Sequence, residues 1–159
     1  MSRSHSTGSH LTTSLAAGLA GAVAVTAVHE TTRRLTPRAP RMDVLGERGI
    51  AKMMRGAGVP VPGRDTLHNL ALGGDIVSNS LYYALVGSGR DAWLRGAGLG
   101  LIAGIGAVVL PPYLGLGRAP RGLTPRVKLM TVAYYTLGGL VAAAASRLIA
   151  GMDDSGRQR

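Results

Sequence analysis

Residues 65–87, DTLHNLALGGDIVSNSLYYALVG, decide how the rest of the chain is read. The stretch is long and apolar enough for a membrane-crossing helix, yet it carries His68, Asn69, Asp75, Ser78, Asn79 and Ser80. Asp75 falls almost at its middle, about 15 Å from the end at Asp65 at the helical rise per residue. An ionisable group there costs about 2.5–3.5 kcal/mol on insertion scales, so it needs a partner, a proton or water. The other apolar stretches read as the walls that hide it.

Those walls lie on both sides of the stretch. Leu11 to Val28 is an apolar run closed by His29 and Glu30, with Ala17, Gly18, Gly21 and Ala22 as small-xxx-small pairs that admit a close neighbour. Ala22-Val23-Ala24 also resembles a leader cleavage site, but Arg3 is a weak positive flank and small residues run throughout, so a span is the reading taken. Beyond the opening stretch, Gly87-Ser88-Gly89 makes a tight turn and Asp91 caps a helix expected to stop at Pro111-Pro112. That helix carries Gly96, Gly100 and Gly104, a groove without side chains that a neighbouring helix normally fills. Thr124 and Pro125 stand as N-cap and first residue of a last helix, with Gly151 expected as its stop. The fold class is therefore all-α, an integral membrane bundle of four transmembrane helices over about 11–30, 66–87, 92–110 and 125–150. Residues 1–10 and 152–159 read as disordered tails, and Asp65 as the N-cap of the second span.

One further helix is too polar to span. Between residues 42 and 57, Met42, Leu45, Gly46, Gly49, Ile50, Met53, Met54 and Ala57 recur at helical spacing. Asp43, Glu47, Arg48, Lys52 and Arg55 take the opposite face, which predicts an amphipathic helix lying among headgroups.

Charge sets the orientation. The formal net charge is +10 on 159 residues. Of the 18 Lys and Arg residues, twelve fall in the connections after the first and third spans, and six lie on the other side. The positive-inside rule places both connections in the cytoplasm and both termini outside, in a cell (inner) membrane. The same basic excess in a soluble chain would point to nucleic acid, but aromatic residues are 4%, Phe is absent and stacking platforms for bases are missing. Without cysteine there are no disulfides, thiolate-bound metals or thiol nucleophiles.

Two constellations could carry chemistry. At about 100° per residue, His68, Asp75, Asn79 and Tyr82 fall on one side of the polar helix. Tyr134 and Tyr135 of the last helix reach a similar depth, and a tyrosine hydroxyl donating to Asp75 is the simplest way to satisfy it. This stripe reads as a proton or ion relay, a polar substrate site, or an interhelical bond that fixes register. At the cytoplasmic edge, His29, Glu30, His68 and Lys128 come from three helix ends. Two His and a carboxylate have metal-ligand chemistry, and paired His could hold haem, but the spacing is no motif. Ion pairing of Glu30 with Lys128 or a loop arginine is the plainer expectation, so no metal or cofactor is expected. Gly-x-Ser-x-Gly, HExxH and Walker loops are absent, and no enzyme is predicted.

Two segments resemble the small YagU-like inner-membrane proteins, a bacterial family without an established molecular function. One runs from Ala17-Gly18 through Glu30 to Pro37-Arg38 and Pro40-Arg41. The other joins Ile102-Ala103-Gly104 to Pro111-Pro112 and Gly115-Leu116. The chain departs from that family in lacking Phe and in its polar second span. The resemblance implies a small multi-span membrane protein tied to envelope or acid stress, and it supplies no site.

Three functions are weighed on these residues: a transport or permeation component built on the polar stripe, a non-catalytic accessory subunit of a larger membrane complex held by the glycine groove, and, only if a metal or haem is bound, a membrane enzyme or cofactor protein using the His29, Glu30 and His68 edge. Partners beyond the lipid bilayer would then be further copies of the chain or that complex.

Overall fold

A computed structural model describes the backbone of residues 4–119 and 124–157, and side chains within 10–119 and 124–152. Five helices and no strand form among the described residues: α1 (Ser4–Leu35), α2 (Met42–Gly56), α3 (Arg64–Ala84), α4 (Ala92–Tyr113) and α5 (Pro125–Arg157). Three of them contain segments long and apolar enough to cross a membrane: His10–Leu35, Ala92–Tyr113 and Pro125–Met152. Polar side chains from Arg64 to Ser80 dilute the leucines of α3, so it falls short of the same standard.

The helix ends show which local signals matter. α1 begins at Ser4, inside the stretch read as a polar tail. α3 starts one residue before Asp65, with Gly63 as its N-cap, so Asp65 is a first-turn acid opposite the positive end of the helix dipole and not the cap. Asp91 does stand at the N-cap of α4 but makes no side-chain capping bond. Thr124 does make one, accepting from Val127 N (3.3 Å). Pro111 and Pro112 lie inside the last turn of α4 and do not end it. The stop is Gly115, whose φ of 69° reverses the chain while its N–H meets Pro112 O and the Leu116 N–H meets Pro111 O, a Schellman closure. α2 ends in the same way at Gly58, through Gly58 N to Arg55 O and Val59 N to Met54 O. Gly151 lies within α5, where a glycine weakens the helix without forcing a left-handed turn. Residues 120–123 of the second basic connection, and the chain ends beyond 4 and 157, lie outside the described residues.

Neighbours follow the order α2, α3, α1, α5, α4. The packing is inside-out relative to a water-soluble bundle. Ala17, Ala22, Ala142, Ala143, Thr131 and Ser146 are buried, whereas Leu11, Leu94, Ile102, Leu129 and Leu148 are each more than 60% exposed. Small residues inside and leucines outside are what helix association in lipid requires, since lipid already satisfies a leucine and close backbone approach supplies the attraction. A Cβ on Gly96, Gly100 or Gly104 would run into the α5 backbone, at Gly139, at Tyr135 and Thr136, and at Val132 respectively. The groove of α4 is therefore filled by the chain's own α5. On the other face of the bundle, Gly18 lets the Ser80–Ala84 backbone of α3 approach α1, and Gly21 and Gly138 bring α1 against α5. Tyr83, fully buried, fills the space where α3, α1 and α5 meet, and its hydroxyl donates to Tyr135 O (2.7 Å).

α2 is tied to α3 and to the chain that follows α4. It packs on α3 through Gly46 near Ala71 and Ile50 near Gly74. Arg48 Nη1 donates to Leu116 O and Arg118 O (3.0 and 2.9 Å), and Lys52 Nζ donates to Leu114 O (2.6 Å). Two cations thus meet the carbonyls at and just beyond the negative end of α4.

Candidate functional site

The described structure brings the two sequence-derived constellations to one place. A cleft of about 60 Å³ lies between the C-terminal part of α1, the start of α2 and the first half of α3. His29, Glu30, His68 and Asp75 all line it, together with Thr26 and Asp43. Lys128 is exposed and is not among the lining residues.

Asp75 forms the innermost polar group of the lining, seven residues along α3 from His68. Its two oxygens have separate partners: Thr26 Oγ1 of α1 donates to Oδ2 (3.3 Å), and Asn79 Nδ2, one turn further along α3, donates to Oδ1 (2.9 Å). The tyrosine expected to satisfy Asp75 does not do so. Tyr134 donates to Thr32 Oγ1 of α1 (3.2 Å), and Tyr135 turns its ring edge-on to His29. Tyr82, the last member of the stripe, donates to Leu99 O of α4 (3.0 Å). The stripe therefore fans out over three neighbours: His68 meets α2, Asp75 meets α1 and Tyr82 meets α4.

His29 shows an unbalanced pattern. Its Nδ1–H donates to Val25 O (3.1 Å), which fixes the neutral tautomer with a bare Nε2, and that Nε2 is buried without a partner. The ring packs edge-on against Tyr134 and Tyr135 at 5.2 and 5.5 Å between centroids. Glu30 does not reach Lys128; Arg33 and Arg34 of its own helix hold it at 2.6 and 2.9 Å, three and four residues on. His68 Nδ1 donates to Glu47 Oε1 of α2 (2.8 Å). Arg41 grips Asp43 through both Nε and Nη2 (2.8–3.2 Å). Burial alone would push the Asp43 carboxyl up, but the hydrogen bonds and charge of Arg41 outweigh it and hold that carboxyl below its ordinary range. The same pairing raises Arg41, hydrogen bonding first.

Among the described residues, no group of three or more His, Asp or Glu side chains is arranged to hold a metal ion. Every charged pair at the loop end of the cleft is closed on itself, which leaves Asp75 as the one lining carboxyl whose hydrogen-bond partners are neutral. Sequence reasoning missed Thr26, Glu47 and the Arg41–Asp43 pair. Thr26, Glu30 and Arg33 recur at four and three residues, so a polar stripe on α1 was visible in the spacing. Nothing in the sequence says that this stripe faces Asp75.

No family model, curated protein or solved structure matches the chain.

Proposed function

We propose that the chain is a multi-pass integral membrane protein that acts, without catalysing a reaction, as a permeation component for an ion or small polar solute. In this reading α1, α3, α4 and α5 all span the bilayer. α2 lies in the cytoplasmic interface, and both termini are on the far side of a cell (inner) membrane. Support for α3 as the fourth span comes from its neighbours and from its outer face. It runs beside α1 with backbone contact at Gly18, and it exposes Leu70, Val77 and Leu81. The YagU-like resemblance is compatible with such a protein and adds no residue to the site.

The observation that carries the reading is the cleft itself: an opening at the basic, loop end of the bundle that leads to an acid near mid-span. Polar groups inside membranes are costly, and they persist where they serve a path or a partner. The accessory-subunit reading rested on the α4 groove, and α5 occupies that groove. Purified protein in sealed vesicles should pass protons, alkali cations or a small polar solute. Asp75→Asn should abolish that passage while leaving helix content and solubility unchanged. Passage that continues undiminished in the variant would reject the assignment.

A further inference from the structure

We infer that the cargo of this cleft is the proton, reaching Asp75 through water, and that the Thr26 hydroxyl is the partner that lets Asp75 hold either protonation state. The inference rests on the permeation reading and narrows it to one substrate class.

Space is the first reason. A cavity needs about 10–15 Å³ per water molecule, so 60 Å³ has room for about four to six waters and falls well short of the several hundred Å³ of an ordinary small-molecule site. Coordination is the second. A partly dehydrated metal cation needs several oxygen ligands, commonly six or more for a divalent ion. The other carboxylates at the cleft are occupied, Glu30 by Arg33 and Arg34 and Asp43 by Arg41, while Glu47 is bonded to His68. His29 commits its Nδ1 proton to Val25 O, and its bare Nε2 is sealed off.

The third reason is the chemistry of the two groups on Asp75. Asn79 donates an amide N–H to Oδ1 and can do so whether the acid is ionised or neutral. Thr26 offers a hydroxyl, which is both donor and acceptor. With Asp75 ionised, the Thr26 O–H donates to Oδ2. When a cleft hydronium gives one proton to Oδ2 and leaves as water, the new carboxylic O–H donates to Thr26 Oγ1 after the hydroxyl hydrogen rotates away. No heavy atom has to move between the two states. A threonine two turns above a tight glycine contact thus becomes a positioning residue for proton loading.

The test uses the full-length protein in sealed vesicles, with an internal pH dye in one set and sodium- or potassium-sensitive dyes in parallel sets. Wild type should carry protons and neither metal ion, and Asp75→Asn should carry nothing. Thr26→Val should lower proton flux about tenfold, the worth of one hydrogen bond to a charged group, and Thr26→Ser should restore it. Sodium or potassium flux without proton flux overturns the proton assignment and leaves the permeation reading standing. Unchanged flux in Thr26→Val overturns the role of the hydroxyl. Should wild type pass nothing, the permeation reading falls, and infrared spectroscopy decides the inference separately. A carboxylic-acid band that disappears in Asp75→Asn and shifts after transfer to D₂O supports proton exchange at Asp75, and its absence overturns it.

Discussion

Replacing one glycine of α4 by alanine tests the packing on which the whole bundle depends. At Gly100 a Cβ would lie 2.6 Å from Thr136 Cα and 2.6 Å from Tyr135 O, both backbone atoms of α5 that cannot rotate out of the way. Ordinary contact begins near 3.4 Å, so α4 and α5 must part by about 1 Å locally and give up dispersion contact along the seam. Overpacking of this kind costs about 1–3 kcal/mol, and the rigid neighbours put it towards the top of that range. Alanine's better helix propensity returns about 1 kcal/mol, so Gly100→Ala should destabilise by about 1–2 kcal/mol net. Gly98 lies two residues away on the same helix, and a Cβ there meets nothing. Gly98→Ala should therefore be neutral or stabilise by up to about 1 kcal/mol. Reversible unfolding in mixed micelles, followed by helicity and by fluorescence of the single tryptophan, Trp93, measures both variants. Two stabilities that agree within about 0.5 kcal/mol would refute the assignment of α5 to this groove.

Other expectations follow from single contacts. Tyr83→Phe removes the hydroxyl that donates to Tyr135 O and should cost about 1 kcal/mol in the same unfolding assay, with flux retained. Gly18→Ala would drive a methyl into the Ser80–Ala84 backbone and separate α1 from α3, so it should depress proton flux as Thr26→Val does, whereas Gly73→Ala, with nothing near its Cβ, should not. Asp43 contributes stability at neutral pH because its carboxyl is held below the ordinary range. That contribution should fade as pH falls below about 4 and through the lowered native value, so melting curves of wild type and Asp43→Asn should differ at pH 7 and converge in acid.

Much of the architecture was legible because lipid imposes simple rules on sequence. Long runs of small and aliphatic residues marked α1, α4 and α5, and alternating faces marked α2. Glycines at four-residue spacing announced a close helix contact, but not that the occupant would be α5. Helix ends were less legible where one residue type supports two outcomes. Pro111-Pro112 would stop most helices, yet here they lie inside a last turn that Gly115 terminates. The acid in α3 was visible, and so was its need for a partner. Which partner depended on the order in which helices sit side by side. With α1 packed along α3, the hydroxyl within reach belongs to Thr26 and not to Tyr134.

That ordering also explains why the polar site and the small-residue seams cannot be treated separately. A hydrogen bond of 3.3 Å between Thr26 and Asp75 exists only while two helix backbones are in direct contact, and Gly18 is the residue that permits the contact. Gly18 and Thr26 are eight residues apart on α1, about 12 Å, and the Ser80–Ala84 backbone lies five to nine residues from Asp75 on α3, about 7.5–13.5 Å. The cleft lies on the loop side of the glycine contact, lined from Thr26 to Arg33 on α1 and from His68 to Asp75 on α3. On the other side of Asp75 stand Tyr83 and Tyr82, one bonded to α5 and the other to α4. A larger residue at position 18 would part α1 from α3, and a smaller one at position 83 would open space where α3, α1 and α5 meet. The surroundings of Asp75 thus depend on side-chain volume at two positions that carry no charge.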